Sequence, residues 1–367
     1  MSMLSIKKLT IPASILFVVA MFIGASSTAS AAVVIQYHHI SEETPKATSI
    51  SPALFAQHMA YLYENDYQVV ALEDLVADLK NKKLPQEKTI AITFDDGYRS
   101  VYSEAFPILK KYAWPFTVFV NTKPIQQNLA QFVSWGELRE MAEHGATIAN
   151  HSFSHPHFLR LENDETEKQW RERITAEILS AEKQISDNTG QANRLFAHPY
   201  GETNSQVNLL LSELKFVGFG QQSGPLSLLS DLATLPRFPF GGPYGDIDDF
   251  KVKVASLPFP MEAATLTINQ GKPLSDGVLP LDDARPVMEL HFNTSSITRQ
   301  INCFASGQGE IPVVVRDNIA LVQAPKPLPV GRSRYNCTSV SNELGRFYWY
   351  SQLFIRRQAN GEWYYEP

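Results

Sequence analysis

Between residues 32 and 255, short apolar runs alternate with longer segments whose apolar positions recur every three or four residues. The runs fall at residues 32–37, 89–94, 116–120, 146–149 and 194–197. Each is apolar at successive rather than alternate positions, as expected of strands covered on both faces in a parallel sheet. The periodic segments predict helices over residues 52–64, 72–80, 102–111, 136–144 and 165–188. The last is mostly polar, but Trp170, Ile174, Ile178, Leu179 and Ile185 keep one stripe for burial, which predicts a surface helix. Alternating β and α units of this kind define an α/β fold around a parallel sheet.

Beyond residue 255 the texture changes to Val, Leu and Phe alternations broken by Pro, Gly, Asn and Ser. This predicts a smaller all-β, sandwich-like domain over residues 256–367. Leu257, Pro258, Phe259 and Pro260 make the expected hinge, because paired prolines resist helix and central strand alike. At the other end, Lys7 and Lys8 precede an apolar stretch at residues 15–23 and the small residues Ala29, Ser30 and Ala31. That order predicts a cleaved secretory signal over residues 1–31. The apolar stretch falls short of the ~20 residues a bilayer span needs, so no stable membrane span is expected after cleavage.

The chain has 367 residues, 44% hydrophobic and 19% charged, which excludes disordered and fibrous classes. Lys plus Arg total 32 against 38 for Asp plus Glu, a net charge of -6. Such a chain has no global field for polyanions, so nucleic acid is not an expected partner. Cys303 and Cys337 are the two cysteines. In the oxidising compartment that export implies they are expected to pair, for ~3 to 4 kcal/mol on the chain-entropy estimate.

Chemistry concentrates in two places. His151, His155 and His157 lie close together, and a His-x3-His pair one helical turn apart presents two imidazoles to one cation. The same spacing also occurs on surfaces that hold no metal. Asp95, Asp96 and Gly97 directly follow the run at 89–94, where parallel α/β folds place their chemistry. One carboxylate there can ligate a metal while its neighbour takes a proton. A solvated turn with an Asp helix cap reads the same way. Together, two His and one carboxylate form a usual zinc shell with one position left for water, and both groups leave the ends of predicted strands on the same rim.

Three segments resemble motifs of the polysaccharide deacetylases with a NodB homology domain, carbohydrate esterase family 4. They are Thr93-Phe94-Asp95-Asp96-Gly97-Tyr98, His151-Ser152-Phe153-Ser154-His155 and Phe196-Ala197-His198-Pro199-Tyr200-Gly201. The resemblance covers about residues 32–255 and implies an irregular (β/α) barrel with a divalent metal, usually Zn2+, at the carboxyl ends of its strands. It implies Asp96, His151 and His155 as metal ligands and Asp95 as general base. The backbone N–H of Tyr200 is implied as a donor to the oxyanion. Many members carry Arg in the third motif to orient the base, where this chain has Ala197 followed by His198. The stretch Thr234-Leu235-Pro236-Arg237-Phe238-Pro239 is similar to a Leu-Pro-Arg stretch in a subgroup that includes exopolysaccharide poly-N-acetylglucosamine deacetylases. Arg237 is therefore expected to hold Asp95 ionised and aimed.

The family's late Leu-x-His motif has no counterpart before residue 255, and Leu290-His291 imitates it poorly. His198, or Asp95 returning its own proton, is left for the acid role. Tyr37-His38-His39 resembles the Tyr-His opening of the subgroup, and strand alternation would aim only one of the two imidazoles at the site. His38, Tyr98 and Tyr200 are expected to contact substrate. His157 is expected beside the ligands or facing solvent, and His58 and His144 look structural. The aromatic clusters at residues 347–350 and 363–365 read either as a sugar platform or as packing between domains. The expected activity is exported, metal-dependent N-deacetylation of an amino-sugar polysaccharide: poly-N-acetylglucosamine, peptidoglycan glycan or a chitin-like polymer. A catalytically impaired carbohydrate-binding protein on the same fold is the alternative, and an amidase or esterase for small acylated substrates is a third reading.

Overall fold

The computed structural model describes residues 31–83, 86–162, 164–268, 271–293 and 301–365, so all of the expected export signal except Ala31 lies outside the described residues. Eight strands build the first sheet: β1 (Ala32–Tyr37), β2 (Gln68–Val69), β3 (Thr89–Phe94), β4 (Phe116–Val120), β5 (Ala146–Asn150), β6 (Leu195–Ala197), β7 (Val217–Phe219) and β8 (Phe238–Pro239). All pair in parallel, in the order β8-β1-β3-β4-β5-β6-β7, with β2 and β4 sharing one edge of β3. A single segment spans the gap between β7 and β8, for Leu235 bridges to Phe219 and Phe238 pairs with Ile35. The ring is an irregular (β/α) barrel, as expected. It also contains β2, β7 and β8, which are too short to show as apolar runs.

Around it stand α1 (Pro52–Glu64), α2 (Leu72–Lys80), α3 (Phe106–Tyr112), α4 (Trp135–Glu143), α5 (Glu167–Thr189), α6 (Ser205–Glu213) and α7 (Ile247–Val254). Local chemistry sets their ends. Ser51 caps α1 through the Leu54 N–H, and α4 and α5 open on capping boxes, Ser134 with Glu137 and Thr166 with Gln169. Gly190 closes α5 in the left-handed conformation. The stretch expected as one helix over 102–111 is divided, because Pro107 has no N–H to bond back to residue 103. Val101–Ala105 accordingly winds as a wider π turn before α3 begins.

The second domain has two five-stranded sheets. Its strands are β9 (Leu257–Pro258), β10 (Met261–Ile268), β11 (Lys272–Pro273), β12 (Val287–Phe292), β13 (Asn302–Ala305), β14 (Gly309–Ile311), β15 (Val313–Arg316), β16 (Ile319–Gln323), β17 (Gly331–Val340) and β18 (Phe347–Arg356). One sheet runs β9-β18-β17-β13-β14 and the other β11-β10-β12-β16-β15. Met288 and Leu290 from one meet Tyr335 and Phe354 from the other in a common core. Cys303 and Cys337 face each other across β13 and β17 and are disulfide-bonded inside that core. The segment expected as a hinge is tied down: Leu257 and Pro258 pair with β18, and Phe259 is buried. Edge pairing of this kind tolerates proline.

The two domains share an apolar contact. Trp349 of β18 packs edge-on against Phe238 of β8, with ring centroids 5.2 Å apart. Leu353 and Ile355 are buried together with Ile174 and Ile178 of α5 and Leu211 of α6. Of the two readings of the aromatic clusters, packing between domains is the one observed for Trp349, while Trp363 and Tyr364 flank Arg160. Among the described residues no helix is long and apolar enough to cross a membrane.

Candidate active site

β3 delivers two carboxylates to the rim and its terminus sends them apart. The Asp95 N–H extends the ladder by one bond to the Tyr37 carbonyl (2.9 Å), and the chain then reverses through left-handed Asp96 and Gly97 (φ 70° and 74°). Glycine is needed at 97, where a Cβ would sit 3.0 Å from Val120 Cγ1. Asp95 and Asp96 thus face different surroundings although they are neighbours in sequence.

β5 delivers the histidines. His151 N donates to the Val120 carbonyl (3.0 Å), and Asn150 Oδ1 accepts from Ser152 N (2.9 Å). Ser152 Oγ accepts from His155 N (2.9 Å), and both Ser152 and His155 have positive φ. The expected helical turn between His151 and His155 is therefore replaced by a side-chain-pinned loop, since these bonds compete with helix formation. The imidazoles converge all the same. Asp96 Oδ1 lies 3.3 Å from His151 Nε2 and 3.5 Å from His155 Nε2, and the three ligand atoms all fall within 4.8 Å of one another.

This cluster fits a tetrahedral cation. Ligands at ~2.0 to 2.1 Å in tetrahedral geometry stand about 3.3 to 3.4 Å apart, close to both Asp96 distances. His151 Nδ1 is 2.8 Å from the Ala197 carbonyl, a bond that places its proton on Nδ1 and leaves Nε2 to face Asp96. Burial, with the His151 charge, pushes His155 down to about 4, so it is neutral, as a ligand must be. Burial would lift the Asp96 carboxyl, but its contacts with His151 and His155 hold it well below the usual range. For His151, burial is outweighed by Asp96 and Asp95, and its pKa is raised.

Asp95 has no exposed surface, and burial alone would push its pKa up. The Arg237 guanidinium outweighs that and holds it below the ordinary value. The pairing is bidentate: Arg237 Nη1 to Oδ1 at 2.7 Å and Nη2 to Oδ2 at 2.8 Å. Arg237 is itself fixed by Nε to the Gly220 carbonyl (2.9 Å) and Nη1 to Thr93 Oγ1 (3.2 Å). Gln36 Nε2 donates a third bond to Asp95 Oδ2 (2.6 Å). Three of the carboxylate's four lone-pair positions are thereby filled, and one on Oδ1 remains. Gln36 was missed from sequence, although a lone amide in the buried run Ala32–Tyr37 is the signal that would have singled it out.

The other expected residues divide. Tyr98 lies beside Asp96, stacked on His39 with ring centroids 3.6 Å apart, and burial and Asp96 both raise its pKa. Pairing within the barrel sheet stops at Tyr37, and the chain bends at His38 before His39 and Ile40 pair with Ser49 and Ile50, so simple alternation does not separate His38 from His39. His38 acts electrostatically on Asp95, Asp96 and His155, and His39 also feels Asp96. Tyr200 borders the Asp96, His151 and His155 cluster, its ring 4.5 Å from that of His155 and stacked at 3.8 Å on His157. His157 is partly buried, its Nδ1 2.9 Å from Glu202 Oε2. His198 departs from expectation: it is fully buried, with Nε2 2.7 Å from the Ala233 carbonyl, and burial pushes it down to about 4. With Nε2 bonded to that carbonyl and its pKa lowered, it holds no spare proton for a leaving group. His58 packs inside the barrel against Tyr37 and Phe250.

Residues 82–219 match the polysaccharide deacetylase family. Over 174 residues the chain is 30% identical to the deacetylase-like protein YxkH of Bacillus subtilis, covering 47% of this chain and 58% of that one. Over 244 residues it is 27% identical to the poly-β-1,6-N-acetyl-D-glucosamine N-deacetylase of Escherichia coli, covering 56% of this chain and 36% of that one. The chain thus spans little more than half, or less, of the length of these curated relatives. The solved structure of the Streptococcus pyogenes deacetylase PplD with acetate has the same fold, at a TM-score of 0.55 and 22% identity, over 61% of this chain and 98% of that one.

Proposed function

Because residues 82–219 are of the polysaccharide deacetylase family and the barrel has the fold of such enzymes, we propose that this protein is an exported, metal-dependent N-deacetylase of an amino-sugar polysaccharide. In this reading residues 1–31 are the export signal, 32–255 the catalytic domain and 256–367 an attached β domain. One observation carries it: Asp96, His151 and His155 close on a single point, beside a second carboxylate that is buried, ionised and clamped by arginine. Poly-N-acetylglucosamine is the favoured polymer, supported by the likeness to the Escherichia coli enzyme that acts on it.

Asp96, His151 and His155 would hold the cation, and their nitrogen and oxygen donors suit Zn2+. When bound, it supplies Lewis-acid polarisation of the acetamide carbonyl and lowers the pKa of the attacking water from ~15.7 towards ~7. Asp95 takes the proton from that water on the lone pair that Arg237 and Gln36 leave open. The Tyr200 N–H donates to the oxyanion as it forms. The carbon–nitrogen bond then breaks, and Asp95 passes to the departing amine the proton it took from water, a role that His198, bonded to the Ala233 carbonyl, does not fill. Tyr98 and His38 line the approach and contact the sugar.

Acetate release from a defined N-acetylglucosamine oligomer tests the proposal. Release is expected from the zinc-loaded protein, to stop with a chelator, and to return when zinc is restored. No release from metal-reconstituted, folded protein would leave carbohydrate binding as the better reading.

A further inference from the structure

Tyr200 occupies φ 57° and ψ 4°, left-handed backbone that is unfavourable for a non-glycine residue and persists only where its surroundings enforce it. The direction of its N–H depends on that conformation. Part of what enforces it comes from the catalytic barrel, where the ring lies flat against His157. The rest comes from the β domain. Arg332 of β17 donates through Nη1 to the Tyr200 carbonyl, and its guanidinium lies 5.8 Å from the centre of the Tyr200 ring. Two residues on, Glu202 is fully buried and joins three segments. Its Oε2 meets His157 Nδ1 on the loop that carries His155, and its Oε1 accepts from the Tyr364 hydroxyl near the carboxyl end. Tyr364 is held in turn under Arg160, 5.1 Å from its ring centre.

We propose that Arg332, Glu202 and Tyr364 are positioning residues for the Tyr200 N–H, which makes the β domain part of the catalytic apparatus and not only an appendage. The physical basis is that a carbonyl bond, a ring stack and a buried carboxylate together restrict both torsions of Tyr200. The Tyr200 N–H shares its peptide plane with the Pro199 carbonyl, which accepts from Glu202 N (3.1 Å), so holding Glu202 together with the Tyr200 carbonyl and ring fixes that plane against the site. This inference rests on the proposed deacetylation and on Tyr200 as an oxyanion donor.

The test uses the full chain with zinc and an N-acetylglucosamine oligomer, comparing Arg332→Met, Arg332→Lys and Tyr364→Phe. Arg332→Met is expected to lower kcat ~10-fold or more with KM and the thermal midpoint little changed. Arg332→Lys keeps one donor to the carbonyl and is expected to recover most of that loss. Tyr364→Phe, which keeps the ring and removes the bond to Glu202, is expected to lower kcat ~3-fold or more in the same pattern. A purely structural role would move the thermal midpoint and leave kcat per folded molecule unchanged, and that result overturns the inference while the deacetylase reading stands. Should Arg332→Met fail to fold, Tyr364→Phe decides alone. A wild-type chain without turnover overturns the underlying reading and this inference with it.

Discussion

Asp95 and Arg237 form a buried ion pair with both oxygens and both terminal nitrogens engaged, so the effects of charge and of geometry are separable by substitution. Asp95→Asn removes the proton acceptor and is expected to cut kcat by ~10²- to 10⁴-fold while the metal still binds. Arg237→Met strands a buried carboxylate and should cost about 3 to 5 kcal/mol in denaturant unfolding. The double variant Asp95→Asn with Arg237→Met should regain much of that stability without regaining activity. A double variant as unstable as Arg237→Met alone would show that Arg237 acts through packing. At this scale the cluster of Asp96, His151 and His155, proposed as the cation's ligands, was legible because each sits in a compact motif at a strand end. Gln36 was not, since its partner is 59 positions away, and no local pattern distinguishes His198 as buried from His155 as half-open. Burial of one imidazole depends on the closing segment that places Ala233 over it.

Among the elements, long strands and capped helices were readable because their signals are local, and α1 and α2 match the periodic segments end to end. The strands β2, β7 and β8, of two or three residues each, exist because their neighbours supply partners. The π turn before α3 likewise follows from one proline rather than from periodicity. α5 offers a measurable case of local control. Thr166→Ala breaks its capping box and should cost about 1 kcal/mol, read as a lower denaturation midpoint. Gly190→Ala has open space around the new methyl, so its cost, again about 1 kcal/mol, is the left-handed backbone alone. Gly190→Asn should lose less than Gly190→Ala, because asparagine tolerates that conformation.

For the whole molecule, acid is the expected weakness. Burial pushes His58 down to about 4, against the ordinary 6.5. The unfolded chain therefore takes up this proton first as pH falls. Stability from His58 is full above pH 6.5 and lost between 6.5 and 4, by at most ~3 kcal/mol. Denaturant unfolding at pH 7.5, 6 and 5 should show that decline, and a His58→Gln chain should show a shallower one; equal slopes would exclude this histidine as the source. The parallel α/β sheet was legible from its alternating pattern and the barrel only through the family resemblance, whereas the way the β domain seats on it was not, because contacts such as Trp349 on Phe238 join distant positions. The segment that completes the ring has a temporal consequence as well. Arg237 stands 142 positions after Asp95. A polypeptide emerging amino end first presents Asp95, Asp96 and both histidines long before the guanidinium that balances the buried carboxylate. An unfinished chain therefore holds the Asp96, His151 and His155 cluster but lacks the partner that makes burial of the Asp95 carboxylate tolerable, so the barrel's rim is completed only by its last strand.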